Sequence, residues 1–418
     1  MNTSADSASL LSIARRRNNT RRGIIGLNEL TKVVDGTPWP EAMTWHDESI
    51  HLDHQATTPL DPRVLDEMLP WLSGAHNAHS TESAAGRRAA EAVDNAREAV
   101  AALIGCEPSE ITFTSGATEA NNIALHGLVA PGETFVTSTI EHPSIGEAAR
   151  ALEDAGSRVT FVAVDGEGLL RLDELDEALP GAALASVMLV NNEIGTIQPI
   201  AEIAAACAAA DVPLHVDASQ AAGRLVIPLD GIGYASISSH KLYGPQGIGA
   251  LFCRSGQRRP RPLMYGGGQE RGVRPGTLPV AACVGFGAAA TLARDERELD
   301  QAHAQLLATT FLGALGAIDG WRLNGSAEER IPQNLNITFE GVPADALLAA
   351  LPRLSLSTGS ACNSRSLSTS HVLKAIGLPE DLASATIRIG TGRHNTAQEI
   401  DIAAREIVQA VHRIRSAA

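Results

Sequence analysis

The sequence predicts an α/β protein in which a mostly parallel sheet, covered by helices on both faces, is followed by a smaller α+β lobe. Three observations predict it. Between positions 111 and 253, short apolar runs with strand character alternate with helical stretches. After about residue 295 the rhythm changes to a long helix, a strand, a helix and a terminal helix. The 418 residues are 44% hydrophobic and 19% charged, a globular composition that can bury a sizeable core.

Residues 1–45 show no sustained periodicity and read as an N-terminal extension. Arg15, Arg16, Arg17, Arg21 and Arg22 cluster there, as a solvated arm or a weak nucleic-acid or partner contact. Leu10, Leu11 and Ile13 run straight into arginines, which leaves no secretory core. From position 87 to 104, Ala90, Val93, Ala96, Val100 and Leu103 recur at helical spacing, and Gly105 closes that helix. Strands are expected at 111–114, 135–138, 159–164, 184–190, 214–216, 234–238 and 249–253, with helices at 123–128, 145–155, 172–179 and 200–210. The uncharged stretch 275–293 nearly matches a membrane span, but Pro275, Pro279 and its glycines and alanines favour a buried helix. The strand 334–339 and the helix 399–414 belong to the second lobe.

A net charge of -15 disfavours nonspecific binding of a nucleic acid backbone by the body of the protein. Cys106, Cys207, Cys253, Cys283 and Cys362 are odd in number, widely spaced and free of C-x-x-C pairs. Neither a disulfide framework nor a zinc knuckle is indicated, and a reducing cytoplasm is the expected setting.

In sheets of this kind ligands sit beyond the carboxyl ends of the strands, so informative residues should follow strands. The run Thr114-Ser115-Gly116-Ala117-Thr118-Glu119-Ala120-Asn121-Asn122 does so and opens a helix, either as a plain cap or as an anion site. In His215-Val216-Asp217-Ala218-Ser219-Gln220, an aspartate ends a buried strand, a costly place without a cationic partner or a following helix to satisfy it. Lys241 in Ser236-Ile237-Ser238-Ser239-His240-Lys241 stands between an apolar strand and a Gly/Pro turn, suited to a Schiff base. Cys362 lies in Ser357-Thr358-Gly359-Ser360-Ala361-Cys362-Asn363-Ser364, a small polar run expected to expose the thiol. The other four cysteines have apolar helical or strand surroundings and read as structural.

These pieces, taken with Leu52-Asp53-His54-Gln55-Ala56-Thr57-Thr58-Pro59, Glu141-His142, Val190-Asn191-Asn192-Glu193-Ile194-Gly195, the stretch from Gly266 to Thr277 and Ile387-Arg388, resemble the NifS-like cysteine desulfurases. Those are fold type I pyridoxal phosphate (PLP) enzymes of the class V aminotransferase group. The resemblance runs in order from about residue 50 to 412. It implies a large PLP-binding domain over 66–295 with a sheet of the seven-stranded type and a small C-terminal domain over 296–418. Residues 46–65 would pack with the small domain.

The resemblance further implies that Lys241 carries the cofactor and that Ala117, Thr118, Ser238 and His240 hold its phosphate, with Thr277 reaching over from a second subunit. Asp217 would pair with the ring nitrogen, Gln220 and Asn192 approach the ring oxygen, and His142 stack on the ring. Arg388 and Asn192 would grip the substrate carboxylate. The implied reaction takes sulfur from L-cysteine, leaving alanine and a persulfide on Cys362, with His142 or His240 helping Lys241 to move protons. A homodimer, no membrane and a sulfur-acceptor protein follow from the same likeness, the sulfur serving iron–sulfur assembly or thio-modification of a nucleic acid or small molecule. Alternatives are a selenocysteine lyase, another PLP-dependent lyase or aminotransferase, or a non-enzymatic scaffold. The sequence departs from the family at His76-Asn77-Ala78-His79-Ser80, where Ser83 replaces a usual histidine, and at Thr358, where a serine is usual. It is also expected to lack the longer tail with which some relatives dock iron–sulfur scaffolds.

Overall fold

A computed structural model describes residues 49–316, 318–358 and 370–417. The extension 1–45 with its arginine cluster, and Cys362, lie outside the described residues.

The expected central sheet is present with seven strands: β2 (Ile111–Thr114), β3 (Thr134–Ser138), β4 (Arg158–Val162), β5 (Ala182–Met188), β6 (Leu214–Asp217), β7 (Tyr234–Ser238) and β8 (Gly249–Cys253). Their order is β2-β8-β7-β6-β5-β3-β4. The pairings from β4 through β7 are parallel, and β8 runs antiparallel to both of its neighbours. The central strands β6 and β7 are buried throughout, as a sheet covered on both faces requires.

Local sequence explains the flanking helices. In Ala84–Ile104 the residues Ala89, Val93, Ala96, Val100 and Leu103 form the buried stripe. The helix stops at Gly105, whose φ of 83° suits glycine. It starts at Ser83, whose hydroxyl accepts from the Gly86 N–H at 2.9 Å and donates to the Ser80 carbonyl at 3.1 Å. Serine in place of the family's histidine therefore acts as a helix cap here. The uncharged stretch after Pro279 forms the helix Val280–Asp295, with Cys283, Phe286 and Ala290 buried. Among the described residues, no helix is long and apolar enough to cross a membrane.

A second sheet, antiparallel in the order β12-β10-β9, comprises β9 (Trp321–Leu323), β10 (Asn334–Phe339) and β12 (Thr386–Gly390). Its core joins Ile337, Phe339, Ile387 and Ile389 with Phe311 and Ile407 of the helices Arg297–Leu315 and Ala397–Ala417. Ile50 and Leu52 join the same core, because β1 (Ile50–His51) pairs with β11 (Leu354–Ser355). The chain after β1 continues along β12, with Asp53 bridged to Gly390. That course carries residues 53–58 to the ends of β7 and β12.

Candidate active site

The carboxyl ends of β3, β5, β6 and β7 open into a cavity of about 570 Å³, joined by the turn after β2 and by Arg388 of β12. At one wall Thr114 of β2 leads through Ser115 and Gly116 into the helix Ala117–Leu128. The Thr114 hydroxyl donates to the Gly116 carbonyl at 2.9 Å. The turn needs two glycines. Gly116 has a φ of 153°, and a Cβ on Gly249 of β8 would meet the Ile237 carbonyl at 2.6 Å and Gly116 Cα at 2.7 Å. The close approach brings the helix start with Ala117 and Thr118 to the same cavity as Ser238 and His240, a donor set suited to a phosphate.

Asp217 ends β6 and is buried. Its carboxylate accepts from the Ser219 N–H at 3.0 Å, the Ser219 hydroxyl at 2.5 Å and the Asn121 amide at 2.8 Å. Asn121 also donates to the Ser144 hydroxyl, which lies 2.8 Å from His142 Nδ1. The backbone N–H of Ser144 donates to the same Nδ1 at 3.1 Å, so Nδ1 is an acceptor and the ring hydrogen sits on Nε2. Burial pulls this imidazole below its usual range and outweighs the Asp217 charge, which leaves His142 neutral.

Lys241 follows β7 in the turn Ser239–Lys241. Its Nζ donates to the carbonyls of Gln55 and, at 2.7 Å, Ala56. Neighbouring bonds fix the same place. Gln220 donates to the Gln55 carbonyl at 2.9 Å and accepts from Arg224 at 2.8 Å. Thr57 Oγ1 lies 3.0 Å from His240 Nδ1. Burial, reinforced by the Lys241 charge, lowers the His240 imidazole to about 4.

Opposite these groups stands Arg388, its side chain 2% exposed. It donates to the Asn192 carbonyl at 2.9 Å and pairs with Asp53 at 2.5 Å. Glu193, raised above the usual carboxyl range by burial, accepts from the Ser370 hydroxyl at 2.5 Å. The chain leaves the described residues after Thr358, just past the Ser357–Arg388 bridge, and returns at Ser370 and His371, which line the cavity.

Lys241, His142, Ala117, Thr118, Asn192, Asp217, Gln220, Ser238, His240 and Arg388 thus meet around one cavity. Thr277 is exposed and does not line it in its own chain. Cys362 has no described position. The other cysteines are held as thiols, with burial pushing Cys106, Cys207 and Cys283 up to about 12 and Cys253 upward. The donor set fits PLP: helix amides and hydroxyls for a phosphate, a buried carboxylate for a ring nitrogen, and a lysine between them. Asn121, Ser144, Asp53 and the carbonyls of Gln55 and Ala56 were not singled out from the sequence. Asp53 and Gln55 stand inside a run that the resemblance uses and Asn121 just beyond another, but a backbone acceptor leaves no mark in residue type.

Residues 50–402 match the family model of the class-V aminotransferases. A mitochondrial cysteine desulfurase from Eremothecium gossypii is 45% identical over 416 residues, spanning 97% of this chain and 84% of that protein. One from Saccharomyces cerevisiae, also named mitochondrial, is 46% identical over 378 residues, spanning 88% and 76%. The solved structure of a NifS-like protein matches with a TM-score of 0.81 and 33% identity, over 87% of this chain and 99% of that one. The expectation of a cytoplasmic setting is corrected by these relatives, whose names place them in mitochondria. The odd, widely spaced cysteines on which that expectation rested do not tell one compartment from another.

Proposed function

The chain belongs to the cysteine desulfurases of the class-V aminotransferase family, and from that premise we propose how its own residues divide the work. The convergence of Lys241, Asp217 and the helix Ala117–Leu128 on one cavity carries the reading. When bound through Lys241, PLP supplies an electron sink for charge developing on the substrate. Asp217, its geometry held by Asn121 and Ser219, keeps a positive ring nitrogen paired. Ala117, Thr118, Ser238 and His240 take the phosphate. Arg388 and Asn192 take the carboxylate of L-cysteine and leave its sulfur open to the thiol of Cys362. His142, neutral with its hydrogen on Nε2, would stack on the ring.

Lys241 moves protons at the substrate carbons. The thiolate of Cys362 attacks the substrate sulfur: an S–S bond forms, the C–S bond breaks, and the electron pair stays with carbon. The thiol hydrogen remains on the transferred sulfur as a persulfide, and protonation of the carbon gives alanine. The bridge of Ser357 to Arg388 and the place of Ser370 in the cavity wall support this assignment for the thiol that lies between them in sequence. A second copy of the chain supplies Thr277 to the phosphate in a homodimer. The exposure of Thr277 and of nearby Tyr265, at 91%, supports that arrangement.

Replacing Cys362→Ser should leave cofactor absorbance intact and abolish alanine release from L-cysteine. Undiminished turnover would remove Cys362 from the reaction and favour a lyase that needs no protein thiol. Lys241→Ala should lose both the absorption band of the covalently held cofactor and all activity. Labelled cysteine, chased into candidate iron–sulfur scaffolds and thio-modification substrates, identifies the acceptor.

A further inference from the structure

The pairing of Arg388 with Asp53 sets an anion on the group assigned to a substrate anion. Asp53 is 335 positions away in sequence, and its side chain is 15% exposed. Its place is fixed by backbone. The His54 N–H donates to the Gly390 carbonyl at 3.2 Å and the Gly390 N–H to the Leu52 carbonyl at 2.6 Å. A Cβ on Gly390 would come within 2.9 Å of the His54 nitrogen, so glycine permits this close pairing. The backbone of Asp53 is therefore held beside Arg388, and its carboxylate leaves the guanidinium only by breaking the ion pair.

Arg388 does not depend on Asp53 alone for its position. Its own N–H donates to the Ser357 carbonyl at 2.7 Å, and its Nη1 donates to the Asn192 carbonyl, which Asn334 also holds at 3.1 Å. What Asp53 adds beyond these is negative charge. We propose that Asp53 attenuates the carboxylate grip of Arg388, setting the enzyme's affinity for amino acids. The proposal rests on the reading that Arg388 takes the substrate carboxylate.

The sign follows from electrostatics. A carboxylate that shares the guanidinium with Asp53 is repelled by it, and one that displaces Asp53 must break an ion pair. Both routes weaken binding relative to an unpaired arginine. The reaction gives this weakness a use. Cysteine and alanine carry the same carboxylate, so a strong grip would hold substrate and product alike without speeding the chemical step. An arginine already paired keeps its orientation and lets alanine go.

The test uses holoenzyme titrated with L-alanine and with ethylamine, which is alanine without its carboxylate, each followed by the change in cofactor absorbance. Asp53→Asn keeps shape and acceptor oxygen while removing charge. It should tighten alanine binding about tenfold or more and leave ethylamine unchanged. Asp53→Ser carries the same expectation should Asp53→Asn fail to fold. Alanine binding that is unchanged or weaker in the folded variant overturns the proposal. Arg388→Lys separates the two levels, since it should weaken alanine and spare ethylamine. If it spares both, the carboxylate reading fails. If it weakens alanine while Asp53→Asn does not tighten it, attenuation alone fails.

Discussion

The two walls of the cavity are built on different plans. On the cofactor wall, Asp217 and Ser238 end adjacent strands of one sheet, and β6 and β7 are in register with Asp217 opposite Ser236. The geometry there is inherited from a stiff, buried ladder. On the substrate wall, Arg388 comes from a separate three-stranded sheet and meets Asp53 on a segment that merely runs alongside it. The cofactor wall holds an aspartate whose carboxylate accepts three hydrogen bonds. The substrate wall holds an arginine whose charge a neighbouring carboxylate already neutralises. On the proposed assignments, the first wall serves rate and the second affinity.

The largest effect that could break this contrast is at Asp217. Asp217→Asn keeps an oxygen for the Ser219 contacts, sets an amide group against the Asn121 amide, and removes the carboxylate proposed to pair with the ring nitrogen. The expected loss in kcat is about 10²- to 10³-fold, with a much smaller change in the dissociation constant of L-alanine. Steady-state rates and the alanine titration decide it together. A loss confined to alanine affinity would erase the division between the walls. A smaller effect is expected one shell out. Asn121→Ala removes one of the three bonds to Asp217 and the bond to Ser144, and should lower kcat by about tenfold. Because Ser144 would lose its donor, the kcat–pH profile of the variant should also shift through His142. An unmoved profile would mean that the hydrogen-bond chain does not reach the imidazole.

The same contrast explains what could be read from the sequence. The sheet was legible because its strands are short apolar runs separated by helices, and nearly every boundary agrees within two residues; helix 123–128 is the main miss, since the structure begins it at Ala117. Lys241, Asp217 and the S-G-A-T-E run were legible because each follows a strand in a local motif. The Asp53–Arg388 pair was not, since nothing near either residue announces a partner so distant in sequence. Ser83 shows the opposite case, in which an apparent departure from the family pattern resolves into a helix cap. The short strands β1, β9 and β11 were also missed. With two or three residues each they carry no periodicity, and only pairing across the fold makes them strands.

Glu141, behind the cofactor wall, offers a test that leaves the catalytic groups untouched. One carboxyl oxygen accepts from the Ser138 hydroxyl at 2.6 Å and the Met188 N–H at 3.0 Å. The other has no partner among the described residues. Burial, with the Asp217 charge adding to it, pushes this carboxyl up to about 8, so the folded protein carries it protonated at neutral pH. The folded state then binds the proton more tightly than the unfolded chain, whose glutamate titrates near 4.5. The stabilisation from this proton is complete below about pH 4.5 and is lost as pH rises toward 8. Glu141→Gln keeps the accepting oxygen and cannot titrate. Relative to the native protein its stability should therefore gain as pH rises, by at most about 1.4 kcal/mol between pH 6 and pH 7. Urea unfolding at several pH values measures this, and parallel pH dependences in the two proteins would show that Glu141 is ionised in the fold. Adding Asp217→Asn should reduce the gain, because one source of the upward shift is then gone. That coupling would tie the buried acid to the cofactor wall, and its absence would leave Glu141 a matter of burial alone.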